Sequence, residues 1–123
     1  MSFNLPDLPY AHDSLASLGM SKETLEFHHD IHHKAYVDNG NKLLADSEHQ
    51  GKSLEEIITS TYDSNSVAQS GLFNNASQHW NHTQFWEMMG PSGREMPSEL
   101  ENSLKENFGS VEEFKSSFAA AGA

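Results

Sequence analysis

Six of the eight histidines in this chain fall in two short runs, four in 28–33 and two in 79–82. Each run sits inside a stretch patterned as a long helix. That placement constrains the fold more than any other feature. A helix that turns imidazoles toward a partner must satisfy their polar atoms, by hydrogen bonds or by a metal. Histidine is also the commonest metal ligand. The rest of the chain is lean: of 123 residues, 36% are hydrophobic. A chain of this size buries a modest fraction of its surface. It has no cysteine, so no disulfide can add stability. A metal or a partner subunit could supply what the apolar core does not.

The punctuation of the sequence predicts helices throughout. Residues 1–20, with Pro6, Pro9 and Gly19, read as an extended arm with a turn, packed through Leu5, Leu8 and Tyr10. Ser21 is the expected N-cap of a helix running to about Asp46, with Gly40 marking a kink. Ser53 and Glu56 have the spacing of a capping box and start a short helix to Tyr62. A second long helix is expected from Val67 to Met89, stopped by Gly90-Pro91. Ser98 with Glu101 and Ser110 with Glu113 repeat the box pattern and predict two more helices. Gly109 ends the first of these. The Gly-Pro-rich stretch at 90–97 is the expected boundary between a domain at 1–90 and a second at 91–123.

Charge narrows the functional classes. Eighteen acidic residues against seven Lys and Arg give a formal net charge of −11. A uniformly acidic surface disfavours nucleic acid and anionic membranes as partners. No apolar run reaches the length of a membrane span, and the N-terminus has no signal-like pattern. A soluble, cytoplasmic protein is expected.

Helical geometry sets out the inner faces. At about 100° per residue, His32, Tyr36 and Leu43 fall within about 20° of Leu25, and His28 and His29 flank that stripe. On the second helix Gln78, His82, Phe85, Trp86 and Met89 share a face. If the two helices form an antiparallel hairpin, His28 lies level with His82 and His32 with Gln78, since each pair straddles a turn centred near residue 55. Two facing imidazoles can hold a first-row transition metal, or be satisfied core histidines. They are too few for a complete site, and the nearest carboxylates, Asp30 and Glu87, do not obviously reach their level. There is no H-E-x-x-H pattern and no phosphate-binding or nucleophile-elbow motif.

Two segments carry a family resemblance. Phe27-His28-His29-Asp30-Ile31-His32-His33-Lys34-Ala35-Tyr36 resembles the first-ligand helix of iron/manganese superoxide dismutases. Gln78-His79-Trp80-Asn81-His82-Thr83-Gln84-Phe85-Trp86 resembles their second-ligand helix. The opening Leu5-Pro6-Asp7-Leu8-Pro9-Tyr10 is similar to their N-terminal arm. The resemblance implies that His28 and His82 ligate one iron or manganese per subunit. It makes His32 and Tyr36 outer groups at the mouth of a substrate channel. Gln78 would hydrogen-bond solvent at the metal, and Trp80, Trp86 and Phe85 would wall the pocket. A glutamine in the position of Gln78 is typical of the iron-type members. The substrate implied is superoxide, and the assembly a homodimer or tetramer.

The family completes its metal site with a D-x-W-E-H segment, which these 123 residues do not contain. The expected fold is therefore all-α over this chain: an antiparallel helical hairpin, then the first helices of a C-terminal α/β domain whose sheet is missing. Two of four protein ligands would be present, and the chain alone would bind metal weakly and not turn over. Superoxide is an anion, so steering past the net negative charge would fall to a local field, with Lys34 a contributor. The alternative to an enzyme is a non-catalytic helical module for metal binding or oligomerisation.

Overall fold

The N-terminal arm is held by one asparagine. In the computed structural model, which describes residues 2–123, the Phe3 amide donates to Asn41 Oδ1 at 2.7 Å and the Asn41 amide donates to the Phe3 carbonyl at 2.9 Å. This two-way bond pairs an extended segment with a helix side chain. It drops the Phe3 ring onto Gly40, where a Cβ would stand 2.6 Å from the ring. Gly40 does not interrupt the helix, contrary to the kink expected from sequence. Its lack of a side chain makes room for Phe3. Gly40→Ala is therefore expected to lower stability. Overpacking costs about 1–3 kcal/mol and outweighs the roughly 1 kcal/mol gained in helix propensity. A denaturant midpoint equal to or above wild type would contradict this.

The first long helix begins at Ser21, whose side chain accepts from the Thr24 amide. It has three continuous parts: α1 (Lys22–Leu25), a π-helical segment (Glu26–His33) and α2 (Lys34–Ala45). At the end of the π segment the Lys34 amide donates to His29, five residues back. The wider turn changes which residues face inward. Leu25, His29, His33, Val37, Gly40 and Leu44 are buried, while Leu43 is 46% exposed. The stripe predicted at α-helical spacing, with His32 and Leu43 inward, is thus corrected by the π geometry.

The short helix α3 (Leu54–Thr61) starts with the predicted capping box, complete at both Ser53 and Glu56. The second long helix, α4 (Gly71–Met88), starts later than expected. Ser70 is its cap, accepting from the Phe73 amide. Residues 63–69 are instead a loop tied by the Gln69 side chain to Asp63 and Ser66. The buried residues of α4 are Leu72, Ala76, His79 and Trp86. Leu43 lies near Gly71, Gly40 near Asn75, and His33 bonds to His79, so the long helices run antiparallel.

Two apolar clusters hold the hairpin. Near the loop end, Phe3, Val37, Leu44, Ile57, Leu72 and Ala76 pack together. Toward the other end, Leu15, Leu25 and Trp86 do so, joined by Leu8, Tyr10, Met20 and Met89. The histidine runs fall between these clusters along both helices.

The chain divides into two compact units, Met1–Pro91 and Ser92–Ala123. The second holds α5 (Ser98–Phe108) and α6 (Val111–Ala121). Ser98 does not cap α5 as predicted. Pro97, with φ −58°, takes the N-cap position and Ser98 is the first helical residue. Gly109 closes α5 at φ 85°, a left-handed value that favours glycine. Ser110 caps α6. Leu104 is buried, and the Phe108 and Phe114 rings pack edge to face at 5.1 Å. Among the described residues there is no strand, and no helix is long and apolar enough to cross a membrane.

Candidate metal centre

The layer between the two clusters is built from imidazoles whose hydrogen bonds fix one another. Trp86 Nε1–H donates to His33 Nδ1 at 3.0 Å. His33 must therefore carry its proton on Nε2, which donates to His79 Nδ1 at 2.8 Å. His33 is fully buried and His79 is 6% exposed. This relay partners both nitrogens of His33 and Nδ1 of His79, and it leaves both rings neutral. Burial first, and then His79, His82 and His29 around it, pushes His33 down to about 3. His79 is lowered by burial and by His82.

His28 and His82 meet beside this layer. Their rings stand 5.0 Å apart and nearly perpendicular. His82 Nδ1–H donates to the Gln78 carbonyl at 2.7 Å, one turn back on α4. That bond fixes the tautomer and leaves Nε2 with a free lone pair. The His33 ring stacks on His82 at 5.1 Å. Burial lowers the pKa of His28, helped by His82 and His32. Burial also lowers His82, partly opposed by its bond to Gln78. Both imidazoles are thus biased toward the neutral form, the one that ligates metal.

The neighbours differ in how far they join this pair. Trp86 is almost fully buried with its ring 4.9 Å from His28, and the Phe85 ring stands 5.6 Å from His28. His32 Nε2 and the Tyr36 hydroxyl share a hydrogen bond of 3.1 Å. Both rings lie against His82, at 5.6 and 5.2 Å. Gln78 is half-buried, and no hydrogen bond joins it to His32. Trp80, expected as a pocket wall, makes no ring contact with His28 or His82 among the described residues. It lies two residues from His82, on another face of α4, and lines a shallow cleft with Ile58 and Ser77. Lys34 is no free cation either, being paired with Asp38 at 2.5 Å. His29, His33 and His79 are all buried. The available signal was their spacing: 29 and 33 continue from Leu25, and 79 continues from Leu72 and Ala76. Among the described residues, no other His, Cys, Asp or Glu forms a three-donor group with His28 and His82.

The buried histidines make stability depend on pH. An unfolded imidazole takes a proton near 6.5, whereas folded His33 resists it until about 3. Below the unfolded value the unfolded state binds more protons, so stability falls as pH drops from about 6.5 toward about 3. His28, His79 and His82 act in the same direction. The slope from one such proton approaches about 1.4 kcal/mol per pH unit. Urea midpoints of metal-free protein between pH 7.5 and 5 should fall accordingly, and a flat profile would exclude this account.

The hairpin and its imidazole layer define a class of helical domain, with two histidines presented from facing helices. Comparison with known proteins gives the family. Residues 2–90 match the model described as iron/manganese superoxide dismutases, alpha-hairpin domain. The whole chain is 71% identical over 124 residues to the superoxide dismutase [Fe] of Rhodobacter capsulatus, covering 62% of that protein. It is 47% identical over 125 residues to the superoxide dismutase [Mn] of Rhizobium meliloti, again over its full length and 60% of the relative. Against the superoxide dismutase [Fe] of Escherichia coli the identity is 44%, over 98% of this chain and 59% of the relative. The chain belongs to the iron/manganese superoxide dismutase family. It spans about 60% of the length of these curated relatives.

Proposed function

We propose that this chain supplies the helical-hairpin portion of a superoxide dismutase, with His28 and His82 as two ligands of one iron per subunit. The observation that carries this reading is the His82 Nδ1–H bond to the Gln78 carbonyl, which frees Nε2 beside the His28 ring. The donor set fits a first-row transition metal, since both imidazoles are biased neutral and a third buried imidazole backs them. Iron is favoured over manganese by the [Fe] relative at 71% identity and by the presence of Gln78.

When bound, the metal supplies one-electron oxidation and reduction. Two superoxide ions and two protons become one dioxygen and one peroxide. The protein residues handle the protons and the geometry. Tyr36 and His32, hydrogen-bonded to each other beside His82, form a path along which a proton can move to the reduced substrate. The Gln78 amide, one turn from His82, would be a neutral donor toward a metal held there and would bias its favoured oxidation state. Trp86 and Phe85 exclude water from the face of His28 and hold its ring in place. Domains at 1–90 and 91–123 belong to this proposal, as do a cytoplasmic location and a homodimeric or tetrameric whole protein, on the strength of the family resemblance.

The test is the dismutation rate of the whole protein reconstituted separately with iron and with manganese, alongside its metal content as purified. Iron occupancy with iron-dependent activity is expected. Zinc occupancy without redox activity would leave the non-catalytic module as the better account.

A further inference from the structure

A second group of metal-ready donors lies where the N-terminal arm crosses the π segment. His12 Nε2 is 3.1 Å from Asp30 Oδ2, and His29 Nδ1 is 2.5 Å from Asp30 Oδ1. Donor atoms of His12, His29 and Asp30 all lie within 4.8 Å of one another. His29 has its other nitrogen committed: Nε2 is 2.8 Å from the Pro6 carbonyl, which can only accept, so Nε2 carries a proton. In the neutral ring Nδ1 then presents a lone pair, directly at a carboxylate oxygen. Two acceptors at this separation need a positive centre between them. A proton fills that role at 2.5 Å; a metal about 2 Å from each donor needs them roughly 3.3 Å apart, a modest movement of the half-exposed Asp30 side chain, and His12 adds a third donor.

We propose that His12, His29 and Asp30 form a divalent-cation site of the zinc class. The ligands are His12 Nε2, His29 Nδ1 and one Asp30 oxygen, with water completing a four-coordinate shell. Two imidazoles and one carboxylate suit zinc better than magnesium or calcium, which prefer all-oxygen shells. The Pro6 carbonyl does for His29 what such outer acceptors do at metal sites: it fixes the tautomer and the ring orientation. Access is open, because the His12 and Asp30 side chains are 34% and 46% exposed while His29 is buried. The consequence is structural. Pro6 and His12 belong to the arm and His29 and Asp30 to the helix, so a bound ion clamps one to the other. His28, next in sequence, turns its ring to His82 and takes no part.

Calorimetric titration of Zn2+ into the protein tests this, with His12→Ala and His12→Gln compared to wild type. Glutamine can still donate to Asp30, so His12→Gln keeps the arm docked while removing a zinc ligand. Wild type is expected to take up one more equivalent of zinc than either variant, and its melting temperature to rise further with added zinc. An equal stoichiometry in wild type and His12→Gln would overturn the proposal and leave an imidazolium–carboxylate pair. Loss of the extra equivalent in His12→Ala alone would overturn it too, since that pattern reports docking of the arm.

Discussion

His82→Ala is expected to lose both bound iron and dismutase activity in the whole protein, by at least about 100-fold. Loss of an outer partner of a metal ligand already costs 10–100-fold in affinity or activity. His82 stands to be the ligand itself, fixed by Gln78 and backed by the stacked His33 ring. The fold should survive, because His82 is only partly buried and its one hydrogen bond is within its own helix. Helix content and melting temperature of the metal-free variant should therefore stay close to those of metal-free wild type. A variant that retains wild-type iron content would remove His82 from the site.

The largest effect on stability is expected at Trp86. It is 1% exposed, packs with Leu15 and Leu25, and donates its indole proton to His33. Its backbone carbonyl also accepts from the Tyr10 hydroxyl at 3.1 Å. Truncating a buried tryptophan costs about 3–5 kcal/mol. Stranding His33 Nδ1 without a donor adds roughly 1–3 kcal/mol. Together these approach the whole stability of a small domain, so Trp86→Ala should be largely unfolded without metal. Trp86→Phe separates the two contributions. It keeps the ring volume in large part and loses the proton, and it should cost less than half as much. Equal losses in the two variants, read from denaturant midpoints, would show that the hydrogen bond to His33 matters more than the packing.

Much of this arrangement could be read from the residues. The caps at Ser21, Ser53 and Ser110 form as their spacing predicts, because a side-chain acceptor three residues before a free amide is a purely local device. The approach of His28 to His82 follows from the hairpin register. What could not be read depends on other parts of the chain. The π segment is invisible to a fixed 100° wheel, and it is what turns His29 and His33 inward in place of His32 and Leu43. Gly40 resembles a helix breaker until Phe3, thirty-seven residues earlier, is seen lying on it. The start of α4 at Gly71 depends on Gln69 holding the preceding loop.

The central claim is that His28 and His82 hold the redox metal. Anomalous diffraction at the iron absorption edge, from crystals of the whole protein, tests it most directly. The account predicts one iron peak per subunit, at a bonding distance of roughly 2 Å from a ring nitrogen of each residue, with Nε2 the donor on His82. An iron peak that touches neither imidazole would contradict it.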